Sequence, residues 1–220
     1  DNKHLADKRV RQAVLMAIDR KTIVAKLFDN KFQVAQSFKH PTQLGYDLKV
    51  KSYAFDPKAA KKLLADAGYG PGKPLATNLI VTKAYGYSGA EDVVEAVAGM
   101  WRAIGVNVTL QPIEFGQVNT MERAWKFDNH FELNGTGSDQ WTGTTTYGST
   151  QGSRTGGLEL PEANALLAQI GNTLDEKKQD ELWRQVGEIM FTQVKEIPLF
   201  WLPIEAVVDP KIVGDWVYPG

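Results

Sequence analysis

The sequence predicts an α/β protein. Amphipathic segments of ten or more residues alternate with short runs rich in β-branched residues, the pattern of a sheet covered by helices. Several of the helical segments carry their own punctuation, Asp or Pro at the start and Gly just past the end. No internal repeat interrupts this order.

Taken in order, DKRVRQAVLMAIDRKTIVAKLF opens with a helix whose Val10, Ala13, Val14, Ala17 and Ile18 recur at spacings of three and four. Asp7 is its expected N-cap. Asp19 caps a second, shorter helix carrying Ile23, Val24, Leu27 and Phe28, because Asp competes with the backbone inside a helix but serves well at its start. Residues 29–55 have weak period and contain Pro41 and Gly45, and they read mostly as loop. In DPKAAKKLLADAG, Asp56 stands at the N-cap, Pro57 at the first helical position and Gly68 where a left-handed residue ends a helix. Ala60, Leu63, Leu64 and Ala67 form its apolar stripe.

LATNLIVT reads as a strand. A helix from Ser88 to Gly105 follows, with Val94, Val97, Ala98, Trp101 and Ile104 inward. VNVTLQPIEF alternates Val106, Val108 and Leu110 against Asn107 and Thr109, as a half-buried strand does. QVNTMERAWKF reads as a short helix and HFELNG as a strand. Two helices are expected at about 161–172 and 175–196, the second with Leu182, Val186, Ile189, Met190 and Val194 on one side. The stretch from Ile197 onward is strand-like.

Composition removes several functions. With 25 Lys and Arg against 26 Asp and Glu, and no basic cluster, the chain lacks the electrostatic footprint of a nucleic-acid binder. No apolar run approaches the ~20 residues that span a bilayer. The chain has no Cys, so disulfides, thiolate metal sites and Cys nucleophiles are excluded. The opening DNKHLADKR has neither an initiator Met nor a leader pattern, and reads as a processed chain or a piece of a longer one.

Enzyme motifs are missing too. GYGPGKP lacks the spacing and the hydroxyl residue of a phosphate-cradling loop, and the GxGxxG that starts at Gly135 and Gly137 fails at Gln140. No GxSxG elbow occurs. His4, His40 and His130 are far apart, with no HExxH pattern, so neither a metal site nor a cofactor is expected. Asp175 and Glu176 sit in a first helical turn, where carboxylates complement the macrodipole. The segment GTGSDQWTGTTTYGSTQGSRTGG, residues 135–157, stands apart, since 17 of its 23 residues are Gly, Ser or Thr. Trp141 and Tyr147 lie in it with no helix or strand period to bury them. Flat aromatics in a polar loop suit ligand contact, although an anchor folded under its own backbone fits equally well.

Together these segments resemble one family. DKRVRQAVLMAIDRKTIV is similar to the helix pair that opens the C-terminal lobe of bacterial extracellular solute-binding proteins of the oligopeptide, dipeptide and nickel class, which serve ABC importers. YAFDPKAAKKLLADAGY resembles that family's Y-x-x-D-P-x-x-A-x-x-L-L-x-x-A-G-Y element. AVAGMWRAIGVNVTL and DELWRQVGEIMFTQVKEIPLF follow in the family's order. The resemblance implies a periplasmic-binding-protein-like fold of type II, with a mixed sheet flanked by helices. It implies that residues 1–220 form a single C-terminal ligand-binding lobe of a two-lobed protein whose N-terminal lobe lies outside this chain.

The implied function is capture of a solute outside the membrane, hinge closure of two lobes over it, and delivery to an ABC permease, without covalent chemistry. The implied compartment is periplasmic or extracellular, and the resemblance leaves a lipid anchor on the full-length protein open. One lobe holds half the cleft, so weak binding by this chain alone is expected. In the family's peptide binders an Asp in a loop at this point pairs with a peptide ammonium group, and Asp139 matches it. The aromatic three residues before that Asp is Thr136 here, and the usual D-Y-P-D-P continuation is D-Q-W-T-G. The solute class therefore stays open between a peptide, a sugar stacked on aromatics and a small amphipathic molecule. Asp139, Trp141 and Tyr147 are expected to contact it. So are Tyr85 and Tyr87 in KAYGYSG, between a strand end and a helix N-terminus. Residues 33–43, QVAQSFKHPTQ, resemble a loop near the family's cleft and hinge. Two other functions remain compatible with the residues: a sensing or interaction module that reuses the lobe, and an α/β enzyme without a recognisable motif.

Overall fold

The computed structural model describes residues 3–47, 49–50, 52–83, 89–124, 130–133, 160–202, 209 and 211–214. In chain order the elements are α1 (Lys3–Ala6), α2 (Lys8–Met16), α3 (Arg20–Phe28), β1 (Gln33–Val34), α4 (Pro57–Asp66), β2 (Ala76–Lys83) and α5 (Ala90–Ala103). They continue with β3 (Asn107–Glu114), α6 (Phe115–Arg123), β4 (His130–Glu132), α7 (Pro161–Gly171), α8 (Glu176–Gln193) and β5 (Phe200–Trp201).

Local chemistry sets most of these boundaries. Asp7 accepts from the Arg9 amide, Asp19 from Thr22, Asp56 from Lys58 and Ala59, and Asp175 from Lys178, each satisfying orphan donors of a first turn. Gly68 and Gly105 take φ of +88° and +91° just past α4 and α5. Ser88, the expected opening of α5, is outside the described residues; the N-cap position belongs to Gly89, at φ +92° and with no side-chain cap. A Cβ on Gly89 would come within 3.1 Å of the Phe28 ring, which explains glycine there. The turn GYGPGKP is closed by reciprocal backbone bonds between Gly70 and Lys73.

β2 is the middle strand of a parallel sheet in the order β3-β2-β4, and β1 and β5 form a separate antiparallel pair. Register places Leu79 opposite Leu110 and Phe131, and Ile80 opposite Gln111 and Glu132. The first row faces α5, where Phe131 meets the Trp101 ring at 4.7 Å between centroids. The Trp101 indole N–H donates to the Val14 carbonyl at 2.9 Å, so this buried ring joins α5 to α2 with its polar atom satisfied. Around it the stripes of α2, α4 and α5 converge: Val10, Ala13, Val14, Ala60, Leu64, Val93, Val97 and Ala98 are all buried. Each aliphatic side chain of Val or Leu size stabilises the fold by ~1.5–3 kcal/mol on burial.

A second cluster joins α7 to α8 through Leu160, Ala163, Leu167 and Ile170 against Leu182, Trp183, Val186 and Met190. The loop of residues 36–47 docks on α8 at two close approaches. Gly45, at φ +82°, lies so near the helix that a Cβ would sit 2.3 Å from the Cβ of Trp183, and its amide donates to Asp180 at 2.8 Å. The ring of Phe38 lies over Gly187, where a Cβ would come within 2.9 Å of it. Between them the Lys39 ammonium sits 3.5 Å from the centroid of the Trp183 ring, a buried cation–π contact.

Some expectations shift. Leu27 is exposed rather than packed, and Ile189 is only half-buried, because a groove opens beside it between α7 and α8. α6 starts at Phe115, two residues early, as β3 runs into it without a loop. The late helices end sooner than their periods suggest. A left-handed Val194 stops α8, and the strand-like ending forms β structure only at Phe200–Trp201 among the described residues.

Candidate functional site

The two motifs that make the sequence recognisable turn out to be structural. In DKRVRQA, Asp7 caps α2 and pairs with the Arg9 guanidinium at 2.6 Å, holding its carboxyl below the usual range, while Arg9 also donates to the Asp66 carbonyl at the end of α4. Arg11 is buried and donates to the carbonyls of Leu5, Ala6, Gln193 and Val194. It thereby satisfies the ends of α1 and α8 together, where helix dipoles favour a cation. In AIDR, Asp19 caps α3, and buried Arg20 donates to the carbonyls of Ala35, Tyr53 and Pro198 and to the Ser52 hydroxyl. Burial pushes both guanidiniums down from their ordinary value, yet each keeps its charge by saturating itself with oxygen acceptors. In YAFDP, Asp56 caps α4 while its amide donates to the Met16 carbonyl, and Tyr53 stacks on Phe191 at 4.9 Å.

The geometry that can meet a ligand lies at the carboxyl edge of the parallel sheet. β2 and β4 are adjacent and parallel, about one strand spacing (~4.8 Å) apart, so both run toward the same edge; β4 ends at Glu132 opposite Ile80, and β2 continues beyond it to Lys83. The segment with Tyr85 and Tyr87 departs from the end of β2. The run with Asp139, Trp141 and Tyr147 departs just beyond the end of β4. These five residues lie outside the described residues, so the structure fixes where their segments leave the sheet.

Several carboxylates lie at this edge, beside the Lys83 that ends β2. Glu91 and Asp92 occupy the first turn of α5, Glu114 ends β3 and Glu132 ends β4, with the Thr82 hydroxyl 3.5 Å from the Glu132 carboxylate. His130 Nε2 lies 2.9 Å from Gln111 Oε1, and its Nδ1 is buried without a partner among the described residues. No group of three metal-ligating side chains occurs among the described residues.

Two cavities lie away from this edge. An open groove of about 350 Å³ is lined by α7 and α8 alone, including Glu162, Leu166, Glu188 and Ile189. A small cavity of about 30 Å³ lies among Leu15, Phe38, Val50, Ser52, Tyr53, Phe191 and Glu196. Neither contains a strand end of the parallel sheet. The buried Lys39 and the Glu196 carboxyl carry no local pattern that sequence reading could detect, since both are placed by loops.

Residues 1–157 match the model for bacterial extracellular solute-binding proteins, family 5 Middle. The chain belongs to this family. A dipeptide-binding protein of Pseudomonas aeruginosa is 27% identical over 96% of the chain and 40% of its own length. A probable deoxycholate-binding periplasmic protein of Escherichia coli is 26% identical, over 96% and 42%. Among solved structures, HbpA2 from Haemophilus parasuis superposes with a TM-score of 0.79 at 25% identity, covering 90% of this chain and 40% of that one. The fold is therefore that of type II periplasmic binding proteins, and the chain spans about two fifths of the length of the family relatives it matches. No helix among the described residues is long and apolar enough to cross a membrane.

Proposed function

We propose that the chain is one ligand-binding lobe of the solute receptor of an ABC importer. The lobe captures a peptide or other small solute against a second lobe outside residues 1–220 and presents it to a permease. The observation that carries this reading is the pairing of β2 with β4, in a chain of this family. It launches both loops expected to hold ligand contacts from neighbouring points of one sheet edge, the place where open α/β sheets bind ligands. Asp139, Trp141 and Tyr147 contact the solute from one loop, and Tyr85 and Tyr87 from the other. Carboxylates such as Glu91, Asp92 and Glu132 near that edge suit a cationic group such as a peptide ammonium, in keeping with the dipeptide-binding relative. The role is binding coupled to closure, without turnover, in the periplasm or outside the cell.

The test is a thermal-shift screen of the full-length parent protein with free dipeptides and tripeptides, their N-acetylated forms, and bile acids. A ligand at a hundred times its Kd stabilises the folded state by about 2.7 kcal/mol. The reading expects a free peptide to raise Tm, N-acetylation to abolish the rise, and Asp139→Asn to weaken binding at least tenfold. A hit among bile acids alone would refute the peptide assignment. Chemical conversion of the bound ligand would refute the receptor role.

A further inference from the structure

Three phenylalanines that the sequence pattern did not single out as a group come together beside the sheet. At the end of α3, Asp29 and Asn30 both take left-handed φ, +49° and +59°, which their short polar side chains tolerate. The Asn30 and Lys31 amides donate to the Val24 and Phe28 carbonyls and close this reversal. It turns the chain back so that Phe32 stacks on Phe28, with 4.1 Å between centroids and the rings 21° from parallel. Phe200 of β5 completes the trio, 5.3 Å from Phe28 and 5.5 Å from Phe32.

Phe28 fixes where the trio sits. Its ring lies against Gly89, 3.1 Å from where a Cβ would be, and Gly89 is the N-cap of α5. A helix that links parallel strands starts on the side where the first strand ends, so the N-terminus of α5 belongs to the carboxyl edge of β2. The trio is therefore at the edge by which the two candidate ligand segments leave the sheet. Exposure rises outward across it. Phe28 is buried, Phe32 and Phe200 are half-buried, and Leu202 is 43% exposed. The period of two along β5 puts Leu202 on the Phe200 side, while Trp201 alternates away and meets His40 edge-on at 5.2 Å.

We propose that Phe32, Phe200 and Leu202 form an apolar subsite of the solute cleft, which takes a large apolar side chain of a bound peptide, an aromatic one best. The subsite rests on the proposed receptor role and names what that receptor selects. Phe28 alone joins the trio to the buried core, so the outer members add an apolar shelf that the core does not require. A ligand ring laid on the half-covered phenylalanines extends an existing set of stacked and tilted contacts. Carboxylates near the edge then anchor the peptide ammonium, and the shelf sets the preference among side chains, the usual division between a few polar anchors and an apolar wall.

The test is calorimetric titration of the full-length parent protein with Ala-Ala, Ala-Phe and Phe-Ala. At least one Phe dipeptide is expected to bind tenfold or more tightly than Ala-Ala. Leu202→Ser, at an exposed position, and Phe200→Leu, which removes the ring but keeps an apolar side chain, should each cut that ratio at least fivefold. If Phe200→Leu does not fold, Leu202→Ser decides alone. Wild type that binds Ala-Ala as well as both Phe dipeptides overturns the subsite and leaves the receptor role standing. An unchanged ratio in the variants, with all three peptides weakened together, also overturns it and makes the shelf a contact for the second lobe. Failure of every dipeptide to bind overturns the subsite and the peptide-receptor role together.

Discussion

Replacing Gly45 by alanine tests how much of the fold depends on the loop that docks on α8. Two costs add at this position. An L-residue at φ +82° carries a backbone penalty of about 1–2 kcal/mol. The new Cβ would also lie 2.3 Å from the Cβ of Trp183 and 2.9 Å from its carbonyl carbon, and a helix backbone cannot swing aside as a flexible side chain can. Overpacking of that kind costs about 1–3 kcal/mol, so the expected destabilisation is about 2–5 kcal/mol. Gly68 supplies the control, because its φ of +88° imposes the same strain while a Cβ there would meet nothing within 4 Å. Gly68→Ala should therefore cost only about 1–2 kcal/mol. Urea unfolding of wild type and both variants, compared at equal m, isolates the docking cost as the difference between them. If Gly45→Ala is no more destabilising than Gly68→Ala, the loop does not depend on this approach and the reasoning fails.

Three further outcomes are expected. Arg11→Met keeps the volume but leaves the carbonyls of Leu5, Ala6, Gln193 and Val194 without their donor; a loss of about 3 kcal/mol in urea unfolding is expected, and under 1 kcal/mol would mean water replaces the guanidinium freely. Asp56→Ala removes the N-cap of α4 and should cost about 1 kcal/mol, with Asp56→Asn nearly neutral, and both are measurable by thermal melts. Global stability should fall as pH rises from about 4.5 to 7 and then level, because the folded Glu196 carboxyl holds its proton above the unfolded value. Its part-exposed side chain limits this contribution to about 1–3 kcal/mol, and a melt series of wild type against Glu196→Gln checks both sign and window.

The sequence by itself determined the parts of this protein that local chemistry controls. Asp7, Asp19, Asp56 and Asp175 cap helices where the periods begin, and Trp101 belongs to the core face that its spacing suggested. A cap needs only the first turn beside it, and a helix face only its own repeat, so both are readable without knowing the rest of the chain. The resemblance to the family was legible for the same reason, because its motifs encode capping and burial; Arg9 and Arg11 tie helix ends, and Arg20 ties loop carbonyls.

Tertiary structure alone decided which strands pair, since no local pattern places β4 beside β2 rather than beside β3. It decided that Gly45 is wedged against Trp183 and that Lys39 is buried over the ring of the same residue, because Trp183 lies more than 100 residues away along the chain. Leu27 and Ile189 fell short of the burial their spacing suggested because the elements needed to cover them pack elsewhere. The candidate site divides in the same way. Sequence chemistry nominated Asp139, Trp141, Tyr147, Tyr85 and Tyr87, and the parallel pairing of β2 with β4 makes both of their segments leave by the same edge of the sheet. That convergence comes from hydrogen bonds between strands some fifty residues apart, a distance over which a sequence pattern carries no register.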